Sequence, residues 1–112
     1  MGSEWVDHES WELVDEASQA CGRDVSQLLL HADAEELKQT RNSQLTTFVL
    51  SMVVLDAVER TGVAPNLTAG HSLGEYSALC ASGALSFEDA VRLVAERGEA
   101  MQVAADEQDG TM

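Results

Sequence analysis

The chain has 112 residues, is 45% hydrophobic, and carries a net charge of −14 from 20 acids against five arginines and one lysine. That makes it at most one small globular domain, able to bury about two-thirds of its unfolded surface. The negative charge repels phosphate backbones and so excludes nucleic acid and anionic membranes as partners. The longest apolar run, Phe48 to Leu55, is interrupted by Ser51 and is too short to span a bilayer. The acidic N-terminus is no signal-peptide n-region, so the expected location is cytoplasmic. The acids are spread along the chain, as on a solvated surface. Cys21 and Cys80 form neither a disulfide framework nor, with three scattered histidines, a zinc site; both read as small buried apolar residues.

In chain order, Ser10 to Cys21 reads as a helix with Ser10 as N-cap, Gly22 as the stop, and Trp11, Val14 and Ala17 or Ser18 on its apolar face. Asp24 to Leu30 reads as a short helical turn. Asp33 caps another, with Glu36 in the capping-box position. Gln44 to Thr61 is the long element. It is apolar on nearly every side from Phe48 to Val58, and its length and the Gly62 stop favour a buried helix over a strand. Val63 to Ala69, after the helix ends and around Pro65, is the one segment that reads as a strand. Leu73 to Ala81 is a small-residue helix, and Ser86 caps a last helix from about Phe87 to Ala104. A lone strand cannot satisfy its backbone polar groups. The chain is therefore either all-helical with an extended connector or part of a larger α/β domain.

Between that strand and its helix lies Gly70-His71-Ser72-Leu73-Gly74-Glu75. The Gly-x-Ser-x-Gly spacing is that of a nucleophile elbow, a sharp strand-to-helix turn that leaves the serine hydroxyl exposed. A Cβ at either flanking glycine is expected to clash in so tight a turn. The elbow favours the α/β reading.

Two arginines on the last helix have different neighbours. Arg92 has Glu88, Asp89 and Glu96 within helical reach and belongs to a salt-bridged, solvated face. Arg97 has Leu93, Val94, Ala100 and Met101 at the same spacings and no local counter-ion. It either snorkels to water or grips a ligand carboxylate with its planar guanidinium, and periodicity leaves both readings open.

Together these residues resemble the malonyl-CoA:acyl-carrier-protein transacylase family. The resemblance rests on Ala69 to Leu79 around the elbow, Gly83-Ala84-Leu85-Ser86-Phe87-Glu88-Asp89-Ala90, and Arg97-Gly98-Glu99-Ala100-Met101-Gln102 at the family's spacing. Weaker similarity runs through Ala34-Glu35-Glu36-Leu37 and Asn42-Ser43-Gln44, where Leu45 replaces a usual proline. The resemblance implies that Ser72 attacks the thioester of malonyl-CoA and passes the malonyl group to the phosphopantetheine thiol of acyl carrier protein. It also implies an oxyanion-hole N–H from Leu73, a malonyl-carboxylate site at Arg97, a pocket wall at Met101 and turn support from His71, with no bound cofactor or metal.

Several parts of the family pattern are not found in residues 1–112. These are the opening strand with its Gly-Gln-Gly-Ser-Gln loop, the ferredoxin-like subdomain, and the base histidine downstream of the serine. Asp109 to Met112 resembles the lead-in to a further strand. The expectation is a partial α/β-hydrolase-like large subdomain, predominantly helical, with impaired activity by itself; a truncated gene product, an excised fragment and a non-catalytic relative all fit that description. Three other readings stay open: a polyketide-synthase-type acyltransferase, an α/β-hydrolase esterase or thioesterase, and a non-catalytic fragment that binds a partner chain.

Overall fold

A computed structural model describes residues 1–108. Among them are two 3-10 turns, Ser3–Trp5 and Glu9–Trp11, and six α-helices: α1 (Glu12–Cys21), α2 (Val25–His31), α3 (Ala34–Lys38), α4 (Thr40–Glu59), α5 (Gly74–Ala81) and α6 (Phe87–Glu107). The four residues compared above with a strand lead-in, Asp109 to Met112, lie outside the described residues.

Local chemistry accounts for most helix ends. Asp24, Asp33 and Ser86 each sit in extended backbone and accept the N–H three residues on, from Gln27, Glu36 and Asp89 respectively. Gly22, at φ 71°, adopts the left-handed conformation that ends α1. Ser10 is a correction. It does not cap α1, which starts two residues later. Instead it sits buried in the preceding 3-10 turn, where His8 Nδ1 accepts its N–H and its hydroxyl donates to Asp56 at 2.7 Å. That buried contact to α4 outweighs a local cap.

Helix α4 is the central element. Its Leu45, Phe48, Val49, Met52 and Val53 pack with Val14 and Ala17 of α1, Val25, Leu28 and Leu29 of α2, and Ala90, Val91 and Val94 of α6. Helices α4 and α6 run antiparallel, with Phe48 stacked on Phe87 (centroids 6.2 Å apart) and Gly98 against Arg41 and Gln44. A Cβ at Gly98 would lie 3.1 Å from the Arg41 Cα and carbonyl oxygen, so this glycine lets the two backbones approach.

The expected strand over 63–69 is not formed: among the described residues there is none, and this segment is an irregular connector with a bend at Asn66. A strand needs a neighbour to take its backbone groups, and every other described segment that packs is helical. Thr68 ties the connector to α5 by donating to the Ala78 carbonyl at 2.9 Å. Leu67 is 90% exposed, and Val63 and Val58 are exposed as well. The second apolar side of α4 noted in the sequence therefore faces outward at Val54 and Val58 instead of a core. Cys21 and Cys80 are half-buried rather than fully buried. No described helix is long and apolar enough to cross a membrane.

Candidate active site around Ser72

The elbow forms without its strand. Ser72 has φ 56° and is the one non-glycine residue at positive φ among the described residues. Such backbone costs about 1–2 kcal/mol for an L-residue and persists where the surrounding turn enforces it. The enforcement comes from successive short-range bonds: the N–H groups of Gly74, Glu75 and Tyr76 donate to the carbonyls of His71, Ser72 and Leu73 at 3.0–3.1 Å. Among the described residues the Leu73 N–H makes no backbone hydrogen bond in this series.

The two elbow glycines differ. A Cβ on Gly70 would fall 2.0 Å from the Gly74 carbonyl oxygen, so only glycine fits there. A Cβ on Gly74 meets nothing within 4 Å, which corrects the expectation that both positions exclude a side chain.

Helix α6 brings Arg97 to the same place. Its Nη2 donates to Ser72 Oγ at 2.8 Å, its Nη1 donates to Gln44 Oε1 on α4, and its guanidinium carbon lies 5.7 Å from the centroid of the Tyr76 ring. Arg97 thus does not snorkel freely, and among the described residues it meets no carboxylate: its hydrogen-bond partners are a hydroxyl and an amide. Arg23, also half-buried, likewise donates only to neutral acceptors, the Arg41 carbonyl and Asn42 Oδ1, whereas the other three arginines pair with carboxylates. Arg41 pairs with Glu99, Arg60 with Asp56, Glu9 and Glu12, and Arg92 with Asp89, the partner expected from its spacing. In a chain of net charge −14, a half-buried guanidinium with neutral partners is one with capacity for an anion.

Met101 lies one turn beyond Arg97 on α6 and is half-buried. His71 is exposed and contributes its backbone carbonyl to the turn. Among the described residues no histidine hydrogen-bonds Ser72; His8 is engaged with Ser10, and His31 ends α2 in solvent. No group of residues suited to hold a metal ion occurs among those described. Cys80, two turns past Ser72, has its thiol pushed up by burial and then by Glu88 and Glu59, which keeps it protonated and unreactive.

The sequence reading did not single out Gln44, Tyr76 or Gly98 as site-forming. Gly98 carried a signal, since a glycine inside a helix costs about 1 kcal/mol relative to alanine and asks for a packing reason. Gln44 and Tyr76 lie within segments of the family resemblance, but nothing local directs them to Arg97, because that contact depends on how three helices meet.

The acyl transferase domain family matches residues 1–112, the whole chain. The malonyl CoA-acyl carrier protein transacylase of Bacillus subtilis (strain 168) is 48% identical over 100 residues, covering 89% of this chain and 32% of that protein. The crystal structure of the Streptococcus pneumoniae enzyme MCAT superposes with a TM-score of 0.83 at 45% identity, covering 93% of this chain and 34% of that one. A malonyl-transacylase solved in complex with a type II polyketide acyl-carrier protein superposes with a TM-score of 0.77 at 40% identity, covering 85% and 31%. The chain therefore spans about a third of the length of the relatives it matches. On this match, the chain belongs to the acyl transferase domain family.

Proposed function

We propose that this chain supplies the nucleophile and the carboxylate site of a malonyl transferase, which moves malonyl from malonyl-CoA to acyl carrier protein through an ester on Ser72. The observation that carries this reading is the 2.8 Å approach of Arg97 to Ser72 Oγ from a separate helix. A carboxylate on Arg97 places an acyl carbon one or two bonds further on, beside the serine oxygen. Ser72 attacks the thioester carbonyl, the oxyanion takes the Leu73 N–H, and CoA leaves as the thiol. The phosphopantetheine thiol then attacks the serine ester and restores the hydroxyl. Met101 lines the acyl pocket, and the His71 carbonyl holds the turn.

The Ser72 proton needs a base. The family resemblance assigns that role to a histidine outside residues 1–108; without one, water takes the proton and acylation is slow. In the same reading, residues 1–112 are part of the large subdomain of an α/β-hydrolase-like fold in the cytoplasm. The connector over 63–69 becomes a strand when it meets the other strands of the sheet, and its exposed Val63 and Leu67 support this. No bound cofactor enters the reaction; malonyl-CoA is the substrate. A polyketide rather than fatty-acid context is the second reading, favoured by the likeness to the transacylase solved with a polyketide carrier protein.

The test is incubation with malonyl-CoA followed by intact-mass measurement. A single malonyl adduct, absent in Ser72→Ala, supports the reading. In the same assay Arg97→Ala reduces the preference for malonyl over acetyl thioester by about ten- to a hundredfold, the value of a charge-assisted hydrogen bond. Equal labelling of Ser72→Ala overturns it.

A further inference from the structure

Ser72 and Arg97 have separate tasks in malonyl transfer, yet the geometry couples them through one N–H. The guanidinium is held at one edge by Gln44 Oε1 and along one face by the Tyr76 ring, while Nη2 donates to Ser72 Oγ. Ser72 is exposed and Arg97 half-buried, so a ligand reaches both. Resting on the malonyl-transfer reading, we infer that a ligand carboxylate and Ser72 Oγ compete for the Nη2 edge of Arg97, so that carboxylate binding releases the nucleophile.

A hydroxyl oxygen has two lone pairs, and an N–H donated to it ties up one of the pairs from which attack must come. A carboxylate is the stronger acceptor for a guanidinium. Its charge-assisted bonds are roughly twice as strong as the neutral bond to a hydroxyl, and its two oxygens match the planar fork. When a carboxylate arrives, Nη2 turns to it while Gln44 and Tyr76 keep the guanidinium in place. The serine oxygen then faces the acyl carbon with both lone pairs free. An acyl thioester without a carboxylate has nothing to exchange, and Ser72 stays tied. Selectivity for a carboxylate-bearing acyl group thus arises twice, in binding and in freeing the nucleophile.

Internal competition weakens ligand binding, and this makes the coupling measurable without turnover. The full chain is titrated with malonate by calorimetry, with the Arg97 Nε–H followed by NMR and malonamide as the carboxylate-free control. Ser72→Ala and Ser72→Gly, each checked for helicity by circular dichroism, are expected to bind malonate about three- to tenfold more tightly than the parent chain, since one neutral hydrogen bond no longer competes. Arg97→Gln is expected to abolish binding. Affinity unchanged or weakened in both serine variants overturns the competition and leaves the carboxylate site standing. Absence of malonate binding in the parent and in both serine variants overturns the carboxylate site and the competition together.

Discussion

Arg97 and Ser72 lie 25 residues apart in the chain and 2.8 Å apart in space, joined by a hydrogen bond from the middle of α6 to the turn that opens α5. Two conditions produce this contact. The turn must hold Ser72 at positive φ so that its hydroxyl points out, and α6 must lie close enough on α4 for Arg97 to reach past Gln44.

The first condition carries strain. Glycine adopts φ 56° without the Cβ penalty, so Ser72→Gly should stabilise the fold by about 1 kcal/mol while removing the nucleophile. Thermal unfolding followed by circular dichroism checks this; a lower melting temperature would show that the Arg97 bond outweighs the strain.

Gly70 is the turn's sterically closed position. Gly70→Ala drives a Cβ into the Gly74 carbonyl, so the turn must open and the Ser72–Arg97 contact must break. Because α5 contributes no fully buried residue, the helical core survives. Helicity near that of the parent, together with loss of Ser72 acylation, is the expected pair of results. Gly74→Ala, with open space around its Cβ, should retain the turn.

The second condition rests on Gly98. Gly98→Ala gains about 1 kcal/mol of helix propensity but forces contact with the Arg41 backbone at 3.1 Å, and overpacking costs about 1–3 kcal/mol. Net destabilisation and a weaker malonate site are expected, because separating α6 from α4 carries Arg97 away from Gln44. A denaturant melt and a malonate titration read the two effects separately.

Two carboxylates respond to acid with opposite signs. The Arg60 hydrogen bond, then that of Ser10, holds Asp56 below the usual carboxylate range. Its stabilising contribution is present above the unfolded-state value and is lost as pH falls through the folded one. Burial, then Glu88, Glu12 and Asp56, pushes Glu16 up, so ionised Glu16 opposes folding at neutral pH. Asp56→Asn should therefore flatten the acid loss of melting temperature. Glu16→Gln should raise melting temperature at pH 7 and lose that advantage in acid, once Glu16 is protonated in both states. Melting curves across pH 3 to 7 check both.

The cap residues Asp33 and Ser86, the Gly22 stop and the apolar face of α1 were readable in the chain because each acts over three or four residues. The elbow was readable for the same reason, since its bonds all span three residues. Ser10 shows where that stops: a good cap residue was drawn to Asp56, 46 positions away. The strand over 63–69 failed from the opposite cause, because a strand is a property of a pair and no described segment pairs with it.

What the sequence determined by itself is the set of local devices: helices, caps, a serine at a tight turn, and an arginine whose own helix offers no counter-ion. Tertiary structure alone decided what that arginine meets. Helical spacing ranks neighbours within α6, but the distance from Arg97 to Ser72, Gln44 and Tyr76 is set by how closely α6 settles on α4 and where the turn into α5 comes to rest against them. That closeness depends on a missing side chain at Gly98, whose effect exists only when two helices touch.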